Sequence, residues 1–247
     1  MDRISYEPSW YESYANSSPL DQAKKYLEYD TTLELIQEIP HCGKSLDIGT
    51  ATGRYLMACY RLGYDACGID LSSAAVTRTR ANLKAASLDI HRVQQMDADY
   101  LEFPSHSFQL ITCMMGTFAH FSDPAQALAE IYRVLEPGGR VLLSNWQPKA
   151  ILTEFLAVNS EQHNQFLTTH SPDLKELVEE ISKLGFYPEK RAYAVYLSGT
   201  TIQRIMDSLA DEPTGYIERL ATLERKMRSL FPHLYGQILL LLAQKPL

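Results

Sequence analysis

The sequence predicts an α/β domain built on a doubly wound, mostly parallel sheet. Three observations carry that prediction. Strand-like runs alternate with helical runs, which implies right-handed crossovers between parallel strands. Residues 45–54, Ser-Leu-Asp-Ile-Gly-Thr-Ala-Thr-Gly-Arg, form a strand-to-helix corner with Asp47 near the strand end and Gly49 and Gly53 in the turn. The next three strands end on Asp70, before Met96-Asp97-Ala98, and on Thr112-Cys113-Met114-Met115-Gly116. Open parallel sheets bind ligands outside the carboxyl ends of their strands, and all four segments fall on that edge.

Each element follows from local signals. Ser18-Pro19-Leu20-Asp21 starts a helix, with Ser18 as N-cap and Pro19 in the first turn. Leu27, Leu33, Ile36 and Ile39 then mark an amphipathic helical region up to Pro40. Strands are expected at Ser45–Ile48, Asp65–Asp70, His91–Gln95, Phe108–Met114 and Arg140–Ser144. Helices are expected at Arg54–Leu62, Ser73–Ala86 and Pro124–Leu135, the last ended by Pro137-Gly138-Gly139. Further on come a helix Asp173–Leu184 opened by Ser171-Pro172, a strand Lys190–Leu197, helical periodicity over 199–234 and a last strand Gly236–Gln244. No repeat and no low-complexity linker interrupts this order.

Composition narrows the classes of function. The chain has 247 residues, 45 % of them apolar, enough for one large α/β domain with a real core. A net charge of −7 disfavours general nucleic-acid binding, which needs a cationic surface. Cys42, Cys59, Cys67 and Cys113 lack C-x-x-C spacing, so no metal site is expected, and scattered thiols suit a reducing compartment. The N-terminus lacks the apolar core of a signal peptide, and the longest apolar run, Ile238–Ala243, is too short for a bilayer. A cytoplasmic protein without a membrane anchor is the expectation.

In order and spacing, residues 30–145 resemble the class I S-adenosylmethionine (SAM) dependent methyltransferases. The carrying residues are the 45–54 corner, Gly68-Ile69-Asp70-Leu71, Met96-Asp97-Ala98, the Thr112–Met115 strand end and Arg133-Val134-Leu135-Glu136-Pro137-Gly138-Gly139 before a strand. The resemblance implies a Rossmann-like, seven-stranded sheet with an antiparallel last strand. It also implies SAM as cofactor and methyl transfer as reaction. Gly49, Ala51 and Gly53 would let the backbone approach the methionine part, and Asp47 would orient that loop and help hold the ammonium group. Asp70 would bind the ribose hydroxyls and Leu71 would lie against the adenine. Asp97 would accept from the adenine amino group, the Ala98 N–H would meet a ring nitrogen, and carbonyls near Met114 would face the ammonium end.

Two positions depart from the family pattern. Ala51 stands where glycine is usual, and an alanine fits there if its φ is negative and the ligand sits slightly farther away. Gln109 stands where an acid is common. The rival cofactor, a nicotinamide dinucleotide, would want glycines at 49, 51 and 54, and the chain has Ala51 and Arg54 there.

The acceptor side is less legible. His120, after the fourth strand, is a candidate base beside the substrate, against a plain packing role. Tyr14 is a candidate to close over the sulfonium through its ring face, against packing of the N-terminal segment. Glu224-Arg225-Lys226, continued by Arg228, reads as a solvated helix face. The connection 199–234 splits at Pro213 and Gly215 into one helix with Ile202, Ile205, Met206 and Leu209 on a face, and another with Ile217, Leu220, Leu223, Met227 and Leu230. These helices form either a lid over the site or an extension of the core.

The expected organisation is one methyltransferase domain over 1–247, with a helical cap at 1–40, a SAM-binding core at 41–145 and a helical lid at 199–234. A small or medium-sized acceptor is expected, with no membrane partner and no nucleic acid. The alternatives are an RNA-modifying methyltransferase and a SAM-binding protein without transferase activity.

Overall fold

A computed structural model of the protein describes residues 18–40, 42–147, 172–196, 199–208, 215–230 and 236–247. Seven strands form one sheet: β1 (Lys44–Ile48), β2 (Asp65–Asp70), β3 (Val93–Gln95), β4 (Phe108–Cys113), β5 (Leu135–Trp146), β6 (Tyr187–Ala194) and β7 (Ile238–Gln244). Their order is β3-β2-β1-β4-β5-β7-β6. The first five pair in parallel, and β7 runs antiparallel to both β5 and β6. The strand order reverses direction between β1 and β4, which opens a crevice at their carboxyl ends.

The helices are α1 (Pro19–Gln37), α2 (Arg54–Arg61), α3 (Ser73–Ala85), α4 (Pro124–Val134), α5 (Leu174–Lys183), α6 (Gly199–Ser208) and α7 (Gly215–Leu230). Side chains alternate across the sheet and so supply two cores. Leu110, Leu142, Leu240 and Leu242 pack under α1, α2, α6 and α7 with Leu27, Ile36, Tyr55, Ile202 and Leu220. Leu46, Ile48, Ile111, Cys113, Leu143 and Leu241 pack under α4 and α5 with Leu128, Ile131 and Ile181.

Several boundaries differ from the sequence expectation, each for a tertiary reason. The helix before Pro137 stops at Val134, because Leu135 already pairs with Phe108. Residues after it bulge out, and the register resumes at Leu110 with Arg140. Strand β6 lies about three residues earlier than its alternation suggests, because β7 pairs with it from Tyr187 onward. As the last strand of the sheet it tolerates Pro188.

Two predicted faces are also corrected. In α1 the buried stripe runs through Ala23, Leu27, Thr31 and Leu35, joined by Lys24, Glu28, Thr32 and Ile36, whereas Leu33 is half-buried. The Thr31 and Thr32 hydroxyls donate to the Leu27 and Glu28 carbonyls at 3.0 and 2.8 Å, which allows polar residues inside an apolar stripe. In α7 Leu220 and Ala221 are buried while Leu223 and Leu230 are exposed.

The charge run of α7 is not simply solvated. Glu224 is buried and accepts from the Tyr196 N–H at 2.8 Å. Arg225 pairs with Asp30 at 2.6 Å and Glu34 at 2.9 Å, and Arg228 pairs with Glu34 at 2.9 Å. The run is thus an ion-pair seam between α7 and α1.

Candidate functional site

The β1–α2 corner is held from three sides. Beneath it, Asp47 is buried, and its two oxygens accept from the Thr112 hydroxyl at 2.8 Å, the Thr50 hydroxyl at 2.7 Å and the Leu56 N–H at 3.1 Å. Burial pushes its carboxyl up to about 6 in spite of these donors, and the nearby Asp70 charge adds to the rise. Above the corner, α3 contributes the Thr79 hydroxyl to the Ala51 carbonyl and the Asn82 amide to the Thr52 carbonyl, both at 2.8 Å. From the side, Asp70 at the end of β2 accepts from the Ala51 N–H and from the Ser72 N–H, each at 2.9 Å. Ser72, not Asp70, caps α3 by accepting from the Ala75 N–H.

Ala51 does not meet the condition of a negative φ. Its φ is +51°, in the left-handed region, between Gly49 at +68° and Gly53 at +82°. The cost for a residue with a Cβ is about 1–2 kcal/mol. Paired hydrogen bonds on both sides of its peptide, to Asp70 and from Thr79, over-determine the turn and hold it there.

Gly49 also answers to a neighbour: a Cβ there would sit 2.3 Å from the Thr117 methyl carbon. The loop amides face inward as well. The Gly49 and Thr50 N–H groups donate to the Ile69 carbonyl, Ala51 to Asp70 and Gly53 to the Thr50 carbonyl. A pyrophosphate cradle needs such amides to converge on the ligand. This corner spends them on the protein, which argues against the dinucleotide.

The remaining predicted residues that the structure describes follow the ends of β2, β3 and β4. Leu71 is 39 % exposed, a large apolar side chain next to Asp70. Asp97 is half-buried in a turn where its carboxylate accepts from the Asp99 N–H at 3.1 Å. Ala98 is buried in that turn. Met114 is buried, and its carbonyl accepts from the Thr117 hydroxyl at 2.7 Å. Met115 and Gly116 follow with φ of +58° and +76°. His120 ends the short 3₁₀ turn Thr117–His120 and is half-buried. Tyr14 lies outside the described residues.

A further cluster escapes the sequence reading. Glu28 of α1 is fully buried and accepts from the Tyr55 hydroxyl and, at 3.1 Å, from the Ser144 hydroxyl. Burial pushes its carboxyl up to about 7 against those donors and the Arg54 charge. Its only signal in the sequence is a glutamate interrupting an apolar stripe. Burial raises the thiols of Cys59, Cys67 and Cys113 well above their ordinary range.

Comparison with known proteins bears on this geometry. A family model described as a methyltransferase domain matches residues 46–143, from β1 through most of β5. Residues 46–143 are thus similar to that methyltransferase domain, which supports a class I SAM-dependent methyltransferase. The cofactor of this family is SAM. Over 107 residues the chain is 36 % identical to a demethylmenaquinone methyltransferase of Deinococcus radiodurans, covering 42 % of this chain and 44 % of that protein. The match thus takes in less than half of that relative.

Among solved structures, phosphoethanolamine N-methyltransferase 2 of Haemonchus contortus in complex with SAM aligns with a TM-score of 0.65. That alignment has 18 % identity over all of this chain and 59 % of that one. The cyclase SpnF aligns with a TM-score of 0.58 and 20 % identity, over 88 % of this chain and 82 % of that one. At such identities the fold is what is shared. Among the described residues no helix is long and apolar enough to cross a membrane.

Proposed function

We propose that the chain binds SAM at the carboxyl edge between β2, β1 and β4 and transfers its methyl group to a small or medium-sized organic acceptor. The observation that carries this reading is Asp70, an acid at the tip of β2 whose carboxylate already fixes the β1–α2 loop. In this reading Asp70 takes the ribose hydroxyls and Leu71 offers its exposed face to the adenine. Asp97 and the Ala98 N–H read the adenine edge. Gly49, Ala51, Gly53 and the Met114 carbonyl surround the methionine part, while Asp47 orients the loop from below.

Bound SAM supplies a sulfonium methyl, open to in-line attack. The protein's part is then to align donor and acceptor and to exclude water, an effect worth up to roughly 7–11 kcal/mol. No strong base is required for such a step, so His120 is the proposed base only for an acceptor that must lose a proton. Tyr14 would stack on the cofactor, and the 199–234 helices would bound the acceptor pocket together with the N-terminal segment. The quinone named for the Deinococcus relative makes demethylated quinols a sensible first acceptor to try.

The test is calorimetry with SAM and with NAD on the wild type and on Asp70→Ala. SAM is expected to bind and NAD not, and the substitution should weaken SAM about tenfold or more, as for lost charge-assisted hydrogen bonds. A folded wild type that does not bind SAM overturns the reading. Because the fold also serves the cyclase SpnF, turnover needs its own assay, with a panel of N, O and C nucleophiles as acceptors. Tight SAM binding without turnover across that panel would favour a non-transferring SAM protein.

A further inference from the structure

We propose that Glu28 is a positioning residue of the cofactor site: acting through Ser144, it holds the Met115–Gly116 turn that closes the end of β4 against the β1–α2 loop. This inference rests on the reading of that edge as the SAM site. Glu28 belongs to α1, outside the stretch matched by the family model.

The geometry is a directed chain. The Ser144 hydroxyl donates to Glu28 Oε1 at 3.1 Å and accepts from the Met115 N–H at 2.6 Å. A hydroxyl has one proton. With Glu28 taking it, a lone pair remains for Met115. The Ser144 carbonyl takes the next amide, the Gly116 N–H, at 3.1 Å. Tyr55 of α2 donates its own hydroxyl to Glu28 Oε2, so one carboxylate ties α1 to α2 and to β5.

The turn needs such a hold. Met115 sits at a φ of +58°, a left-handed conformation that is strained for a residue with a Cβ. Gly116 follows at +76°, and a Cβ there would sit 2.6 Å from the Trp146 ring. The next residue, Thr117, fills the space over Gly49 and donates to the Met114 carbonyl. Displacing Met115 would therefore shift the groups that face the methionine end of the site. Among the described residues, Tyr55 and Arg54 of α2 act on Glu28, joined by the hydroxyls of Ser144 and Thr32.

Amide hydrogen exchange at Met115 and SAM titration, on the wild type, Glu28→Ala, Glu28→Gln and Ser144→Ala, test the proposal. In Glu28→Ala the Met115 amide should exchange about tenfold faster while Leu240–Leu242 stay protected, and SAM should bind about tenfold more weakly. Glu28→Gln keeps an oxygen for Ser144 and should restore both to within roughly threefold. Combining Glu28→Ala with Ser144→Ala should cost little more than either alone, since both cut one link.

Should Glu28→Ala fail to fold, Ser144→Ala and Glu28→Gln carry the same comparison. A lowered melting temperature with Met115 exchange and SAM affinity unmoved, to within roughly twofold, would mark Glu28 as structural only and overturn the proposal. A folded wild type that does not bind SAM overturns instead the site reading beneath it.

Discussion

Two regions of the molecule are built by different physics. At the β1–α2 corner, directed polar bonds fix the loop: Asp47 under it, Asp70 beside it, Thr79 and Asn82 above it. On the face covered by α1, α6 and α7, apolar packing of Leu27, Ile36, Ile202 and Leu220 does most of the work, trimmed by an ion-pair seam. Directed bonds fix atoms to a few tenths of an ångström and tolerate little change. Apolar packing fixes volume and leaves the identity of each side chain freer. A cofactor common to a family suits the first, and an acceptor that differs between members suits the second.

The largest expected effect separates stability from cofactor affinity. Leu220→Ala empties a buried position on α7, which packs on α1 and α6, and should cost about 2–5 kcal/mol in chemical denaturation. SAM affinity of the folded fraction should stay within roughly twofold, because the site lies on independent bonds. A parallel loss of affinity would break the comparison.

Next in size is Gly49→Ala. A Cβ there clashes with Thr117 and meets a φ of +68°, so a loss of about 1–3 kcal/mol in stability is expected, with SAM binding weakened as well. Thr117→Ala in the same chain should recover part of it by removing the methyl in the way. No recovery would mean that backbone strain alone dictates the glycine.

The two buried acids give a pH signature. Glu28, raised from 4.5 to about 7, and Asp47, raised from 3.8 to about 6, both favour the protonated folded state. Their contribution to stability is fully present below the unfolded values and is lost as pH rises through the folded ones. Urea midpoints should therefore fall between pH 5 and pH 8, and Glu28→Gln should flatten that slope. A slope unchanged by the substitution would assign the effect elsewhere.

Ala51→Gly should do least. It relieves the left-handed strain at φ +51° but adds freedom to the unfolded chain, so the two terms of about 1 kcal/mol nearly cancel. SAM should still bind, and a change in thermal midpoint well beyond that balance would show that the alanine methyl itself packs on something.

Much of the strand-and-helix order was legible in the sequence because alternation, caps and turn residues are local signals. Asp47, Asp70 and Asp97 stood out because each ends or follows a strand, so its chain position alone puts it on the carboxyl edge. Glu28 gave no such signal: its partners Tyr55 and Ser144 lie 27 and 116 residues away. The seam of Arg225 and Arg228 was hidden for the same reason, since its acids sit on α1. The register of β5 and β6 depended on hydrogen bonds from β7, which comes last in the chain.

The sequence by itself determined the fold class and the family resemblance of the 45–54 corner, since both rest on residues close in the chain. Only the tertiary structure decided that Ala51 is left-handed, that Gly49 makes room for Thr117, and that a glutamate of α1 reaches the end of β4. Those outcomes depend on which distant groups arrive with a donor or a methyl to place. Burial then sets their strength, because an unmade bond in the interior has no water to replace it.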